Sequence, residues 1–99
     1  MIVTVFRARL RPENSIAYFK LAGELGAEAA SMPGFVSRKV FVADDGERVT
    51  IVEFDSEENH RGWAEHHGHR QAQKLGREQF YSEYSIQVCR SVRSSSFSG

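Results

Sequence analysis

Phe35-Val-Ser-Arg38-Lys-Val40-Phe-Val42-Ala-Asp44-Asp45-Gly46-Glu47-Arg48-Val-Thr50-Ile-Val-Glu53-Phe54 places two runs rich in β-branched and aromatic residues on either side of an Asp-Asp-Gly tract. Such runs read as strands, and Asp-Gly between them signals a hairpin, because a two-residue type I′ turn needs positive φ at both central positions. Residues 35–43 and 48–54 are therefore expected to be strands, with Asp45-Gly46 as the turn. That turn would set Val42 opposite Val49, Val40 opposite Ile51 and Arg38 opposite Glu53 on one face. On the other face Phe41 would meet Thr50, and Ser37 would meet Phe54. Two aliphatic pairs and an opposite-charge pair then fall together, as cross-strand packing favours.

The rest of the fold reads outward from this hairpin. Residues 2–10 form a strand with Ile2, Thr4, Phe6, Ala8 and Leu10 on one face. Over residues 13–32 the period becomes helical. Tyr18, Ala22, Leu25, Ala29 and Met32 form one apolar stripe, with Ile16, Phe19, Gly23, Gly26 and Ala30 beside it, and Pro33-Gly34 ends the helix. After the hairpin, Asp55-Ser56-Glu57-Glu58 opens a second helix, with Asp55 or Ser56 as its cap. Gly68 is expected to bend or break it, a further helical piece runs over 69–79, and residues 81–92 form the last strand. The order β-α-β-β-α-β predicts an α+β fold, the ferredoxin-like plait, with both helices on one face of an antiparallel sheet. Residues 1–93 make one domain, and 94–99, rich in serine, read as a flexible tail. The strands carry Val, Ile or Phe on both faces. An apolar sheet face is rarely left in water, so a second copy is expected to cover the face away from the helices, giving a homodimer.

Composition narrows the function. The chain has 99 residues, with 13 basic and 13 acidic side chains. That balance speaks against nucleic acid or an anionic membrane as partner. One cysteine, Cys89, allows no intrachain disulfide and suits a reducing cytoplasm. No apolar run approaches 18 residues and no basic-then-apolar leader is visible, so neither a membrane span nor a signal peptide is expected.

The chemistry concentrates in one segment. His60, Trp63, His66, His67 and His69 fall within ten residues, followed by Arg70, Arg77, Phe80, Tyr81 and Tyr84. A site that takes an aromatic molecule and moves a proton needs such titratable groups beside flat apolar rings. Trp63 and His66, three apart, would share a helix face. Trp63 also suits plain core packing, and His69 suits a capping role at the helix break. His60 and His67 read as solvated. Tyr81 and Tyr84, three apart in a strand, should face opposite sides, so that only one reaches the helix side. Arg9 and Arg77 fit either an anionic group or solvent, and Cys89 reads as inert packing. A metal is not expected: Gly68 separates His66 from His69, and no third ligand is evident.

Up to about Arg93 the chain resembles the antibiotic biosynthesis monooxygenase superfamily of dimeric α+β barrels. The resemblance rests on the plait order, on Met32-Pro33-Gly34-Phe35, and on Val52-Glu53-Phe54-Asp55-Ser56-Glu57-Glu58. It continues through Trp63, His69-Arg70-Gln71-Ala72 and Gly76-Arg77-Glu78 to Phe80-Tyr81-Ser-Glu-Tyr84-Ser-Ile-Gln-Val88-Cys89. It implies a cleft between helices and sheet. Members bind aromatic polyketides, quinols or haem there, and some oxidise their ligand with oxygen and no metal or flavin. Others are not enzymes. Haem-degrading relatives carry an asparagine on the first strand, where this chain has Thr4 and Phe6. The expectation is a monooxygenase without a cofactor, acting on a small aromatic or quinol-like molecule. His69, then His66, would handle the proton, and Trp63, Arg70, Tyr81, Tyr84 and Phe6 would contact the substrate.

Overall fold

The computed structural model describes residues 1–99 except the side chain of His67, so the solvated placement expected for that side chain lies outside the described residues. Strand β1 (Ile2–Leu10) leads through a 3-10 turn at Pro12–Asn14 into helix α1 (Ser15–Ala30). Strands β2 (Phe35–Val42) and β3 (Arg48–Phe54) follow, then α2 (Glu57–Ala64), α3 (His67–Leu75) and β4 (Tyr81–Arg90). The four strands form one antiparallel sheet in the order β2-β3-β1-β4, the ferredoxin-like plait. Among the described residues no helix is long and apolar enough to cross a membrane.

On α1 the stripe through Tyr18, Leu25 and Ala29 turns to the sheet: Tyr18 and Ala29 are buried, and Leu25 and Met32 pack on the core cluster of Ala29, Phe54 and Trp63. Most of the second stripe faces out, with Ile16 at 88% exposure, while Gly26 lies against the Arg38 side chain. Gly34 adopts φ +79°, and a side chain there would strike Asp55 and Asn59, so the junction needs glycine both for its conformation and for space. Ser56 caps α2 by accepting the Asn59 N–H.

The hairpin forms, but its register differs by one residue from the expected one. Arg38 pairs with Val52, Ser37 with Glu53, Val40 with Thr50 and Phe41 with Val49. The reason lies in the loop. Ala43 N–H donates to the Glu47 carbonyl and Gly46 N–H to the Ala43 carbonyl, and only Gly46 has positive φ, at +92°. A type I′ turn would force Asp45 into positive φ as well. Residues 44–46 instead make a three-residue loop that ends on a left-handed glycine. Because side chains alternate, the shift separates Arg38 from Glu53: Arg38 lies on the helix face and Glu53 on the outer face.

Two other expectations change. The break between α2 and α3 falls at Glu65-His66, not at Gly68; His66 is the cap of α3, and its Nδ1 accepts the Gly68 N–H at 3.2 Å. After α3, Gly76–Phe80 widens into a π-turn, in which Tyr81 N–H reaches the Gly76 carbonyl. The β1–β4 register then slips between Arg9 and Leu10, where Arg9 pairs with Glu83 and Leu10 with Tyr81. The extra residue resets the alternation, so Tyr81 and Tyr84 both turn to the helix side.

The outer sheet face carries Val3, Val5, Val49, Ile51 and Phe41, the last 47% exposed. Cys89 lies on this face and is exposed in the single chain.

Candidate active site

The interior under the helices is filled at one end and hollow at the other. Phe54 is fully buried against Ala29 and Trp63, with Phe35 edge-on to it at 5.9 Å between ring centroids. Next to this core lies a cavity of about 190 Å³ walled by α1, α2, α3 and the inner face of the sheet. It is large enough for a substituted aromatic ring, since a cavity of about 150 Å³ holds benzene.

Phe6, Trp63, His69, Tyr81 and Tyr84 all line it. The Tyr81 and Tyr84 rings both lean on Phe6, at 5.3 and 5.6 Å between centroids. Trp63 belongs to core and cavity at once: it is buried, and His69 stacks on it with 4.7 Å between centroids and 22° between planes. His69 Nδ1 faces the Ala64 carbonyl at 3.4 Å, a long contact. A carbonyl can only accept, so this geometry favours the proton on Nδ1 and leaves Nε2 with its lone pair. Burial holds His69 below the ordinary imidazole value, only partly offset by that carbonyl, so the ring is neutral near pH 7.

His66 and Arg70 are not on the wall. His66 stacks on Trp63 at 5.7 Å, but its ring nitrogen is engaged in capping α3. Arg70 is exposed on α3. Arg9 is held by Asp45 at 2.7 Å and Glu83 at 3.0 Å. Arg77 reaches the Tyr84 hydroxyl only at 3.5 Å. Among the described residues no group of three or more His, Cys, Asp or Glu is placed to hold a metal.

Several wall residues were not anticipated, and three of them bear on the chemistry. His60, expected in solvent, lines the cavity and bonds Thr4 Oγ1 through Nε2 at 3.1 Å; burial lowers its pKa. His60 also lines a neighbouring surface depression beside Glu57, Arg61 and Arg90, so one imidazole borders both cavity and surface. The signal was present: His60 is three residues before Trp63, the same helical spacing that suggested His66. Tyr18 meets Tyr81 edge-on at 5.7 Å. Burial, then the Tyr18 phenol, pushes the Tyr81 hydroxyl well above the usual tyrosine range, with Arg48 and Arg38 pulling the other way, so Tyr81 stays protonated and can donate. The third residue is Arg38, brought in by the register shift.

Taken together, the wall offers a flat ring to stack on, two neutral imidazoles to take a proton, and phenolic hydroxyls to hold an oxygen. The sequence pattern of the family described as antibiotic biosynthesis monooxygenase matches residues 1–75. The chain belongs to that family. The protein YqjZ of Bacillus subtilis (strain 168) is 28% identical over 86 residues, which is 87% of this chain and 75% of YqjZ. The fold recurs in Rv0793 of Mycobacterium tuberculosis, with TM-score 0.83, 16% identity, and coverage of 96% of this chain and 98% of that one. It recurs also in a mutant of SnoaB, a cofactor-independent oxygenase from Streptomyces nogalater, with TM-score 0.79, 15% identity and 94% of each chain covered.

Proposed function

We propose that this member of the antibiotic biosynthesis monooxygenase family oxidises a small phenolic or quinol-like aromatic with molecular oxygen, in the cavity beside Trp63 and without a bound cofactor. The observation that carries the reading is the stacked Trp63–His69 pair at the wall of a partly open, largely apolar cavity. A ring bound there loses part of its contact with water. His69 Nε2, with His60 as the alternative, takes the phenolic proton, and the Tyr81 and Tyr84 hydroxyls hold the developing oxyanion. The electron-rich anion then reduces oxygen. In a hydroquinone, one oxygen atom enters the ring to give a hydroxyquinone and the other leaves as water, all four electrons coming from the substrate. The first strand carries Thr4 and Phe6 where haem-degrading relatives carry asparagine, which disfavours the haem-degrading branch. The molecule acts as a cytoplasmic homodimer joined through the outer sheet face.

The test is oxygen uptake with a panel of one- and two-ring quinols and no added metal or flavin. Turnover that falls about 100-fold or more in His69→Ala supports the role of a positioned base. Binding without oxygen uptake across the panel replaces the enzyme with a carrier, and full activity in both His69→Ala and His60→Ala removes the proposed chemistry.

A further inference from the structure

We infer that Arg38 is the specificity residue of this cavity and that the ligand carries a carboxylate at the end facing β2. The inference rests on the aromatic-binding reading above and adds a charge to it. Arg38 lines the cavity from the inner face of β2, beside Thr50 and Val52 on the neighbouring strand. Its guanidinium lies against Gly26 of α1, where an added Cβ would come 3.1 Å from Nη1, so the small residue leaves it room. Among the described residues no carboxylate pairs with Arg38, no hydrogen bond engages it, and no Asp or Glu stands on the cavity wall.

The cavity therefore has one formal charge, a cation with five donors in a fixed fork and no acceptor supplied by the protein. Guanidinium geometry matches a carboxylate, and a partly buried charge is costly unless something pairs it. Arg48 reinforces the sign: its guanidinium sits 5.7 Å over Tyr18 and 5.1 Å over Phe19, behind the wall, and Nε is buried without an acceptor among the described residues. Several other arginines do meet carboxylates. Arg7 meets Glu47, Arg9 meets Asp45 and Glu83, and Arg90 meets Glu57. An unmatched guanidinium inside a cavity, in a protein with equal numbers of acidic and basic residues, is the arrangement an anionic ligand completes.

Trp63 is the only tryptophan and stands on the wall, so its fluorescence reports occupancy. Titrations with 4-hydroxybenzoate and with its methyl ester are to be compared at about pH 8, where the cavity imidazoles are neutral. The acid should bind about 10- to 100-fold more tightly than the ester, as one charge-assisted contact allows. Arg38→Gln should abolish the preference, bringing acid affinity down to that of the ester in the same variant, while Arg38→Lys keeps part of it. Equal affinity for acid and ester, or a preference that survives in Arg38→Gln, overturns the role of Arg38 and leaves the aromatic cavity standing. Failure of both compounds to perturb Trp63 overturns the aromatic-binding reading, and this inference with it.

Discussion

Gly76 and Gly23 both lie in helical backbone, yet alanine should have opposite effects at the two positions. At Gly23, in the middle of α1, a new Cβ meets nothing within 4 Å. Removing a mid-helix glycine then stabilises by roughly 0.5–1 kcal/mol. At Gly76 the same Cβ would stand 2.5 Å from Cε2 and 2.9 Å from Cδ2 of Tyr81. Carbon atoms prefer a separation of about 3.5–4 Å, so the ring must retreat by about 1 Å. Its room is limited by Phe6 and Tyr18, at 5.3 and 5.7 Å between centroids. Overpacking of this kind costs about 1–3 kcal/mol, against the same helix gain of less than 1. The net loss for Gly76→Ala is then about 1–2 kcal/mol, or roughly 5–10 °C in Tm for a domain of this size, while Gly23→Ala should rise by a few degrees. Thermal unfolding of the two variants beside the parent measures both. The displaced Tyr81 ring should also narrow the cavity and weaken aromatic binding. If Gly76→Ala melts as high as Gly23→Ala, the close packing of Tyr81 on the π-turn is wrong.

Further outcomes follow from the same geometry. Burial lowers the pKa of His69 and His60 from 6.5, so the unfolded chain takes up protons before the folded one does. Stability should be full above about pH 6.5, fall as pH drops through the lowered values and level off below them; urea midpoints should trace this, with a shallower slope in His69→Gln. His66→Ala should lower Tm by removing the cap of α3, yet leave aromatic affinity unchanged, whereas His69→Ala should alter affinity; fluorescence titration beside thermal melts separates the two. Sedimentation of the parent at micromolar concentration should give twice the chain mass, and Val5→Glu, on the outer face of β1, should shift it to the monomer. A monomeric parent would remove the dimer.

The order of elements and the inward stripe of α1 were legible because each rests on periodicity alone. Tyr18, Leu25 and Ala29 turn inward as their spacing requires. What the pattern did not carry was the phase of the strands. Asp44-Asp45-Gly46 is compatible with a two- or a three-residue loop, and the choice depends on whether Asp45 accepts positive φ. That one residue decides whether Arg38 faces Glu53 outside or the ligand inside. Tyr81 and Tyr84 share a side only because the register slips opposite Arg9-Leu10, a local insertion that alternation cannot anticipate. Within the histidine cluster, composition marked the neighbourhood, but the end of α2 at Ala64 distributed the roles. It left His60 and Trp63 on one helical wall, turned His66 into a cap, and let His69 return over the Trp63 ring from the next helix.

The sheet order has a consequence for how the molecule is made. β1 is a central strand whose partners are β3 and β4, with Ile2 pairing with Phe54 on one side and Arg90 on the other. β4 is the last strand in the chain, so until it joins the sheet one long edge of β1 is unpaired. An unpaired edge is a template for other chains. The last contacts to form bring together residues nearly ninety positions apart, a long loop to close and a slow one relative to local helix formation. Tyr81, Tyr84, Ile86 and Val88 lie on that strand, so the cavity wall is incomplete until β4 is in place. A nascent chain can be largely folded and still have no place for a ligand, and a ligand that binds only the finished cavity would draw the closing of β4 forward by mass action.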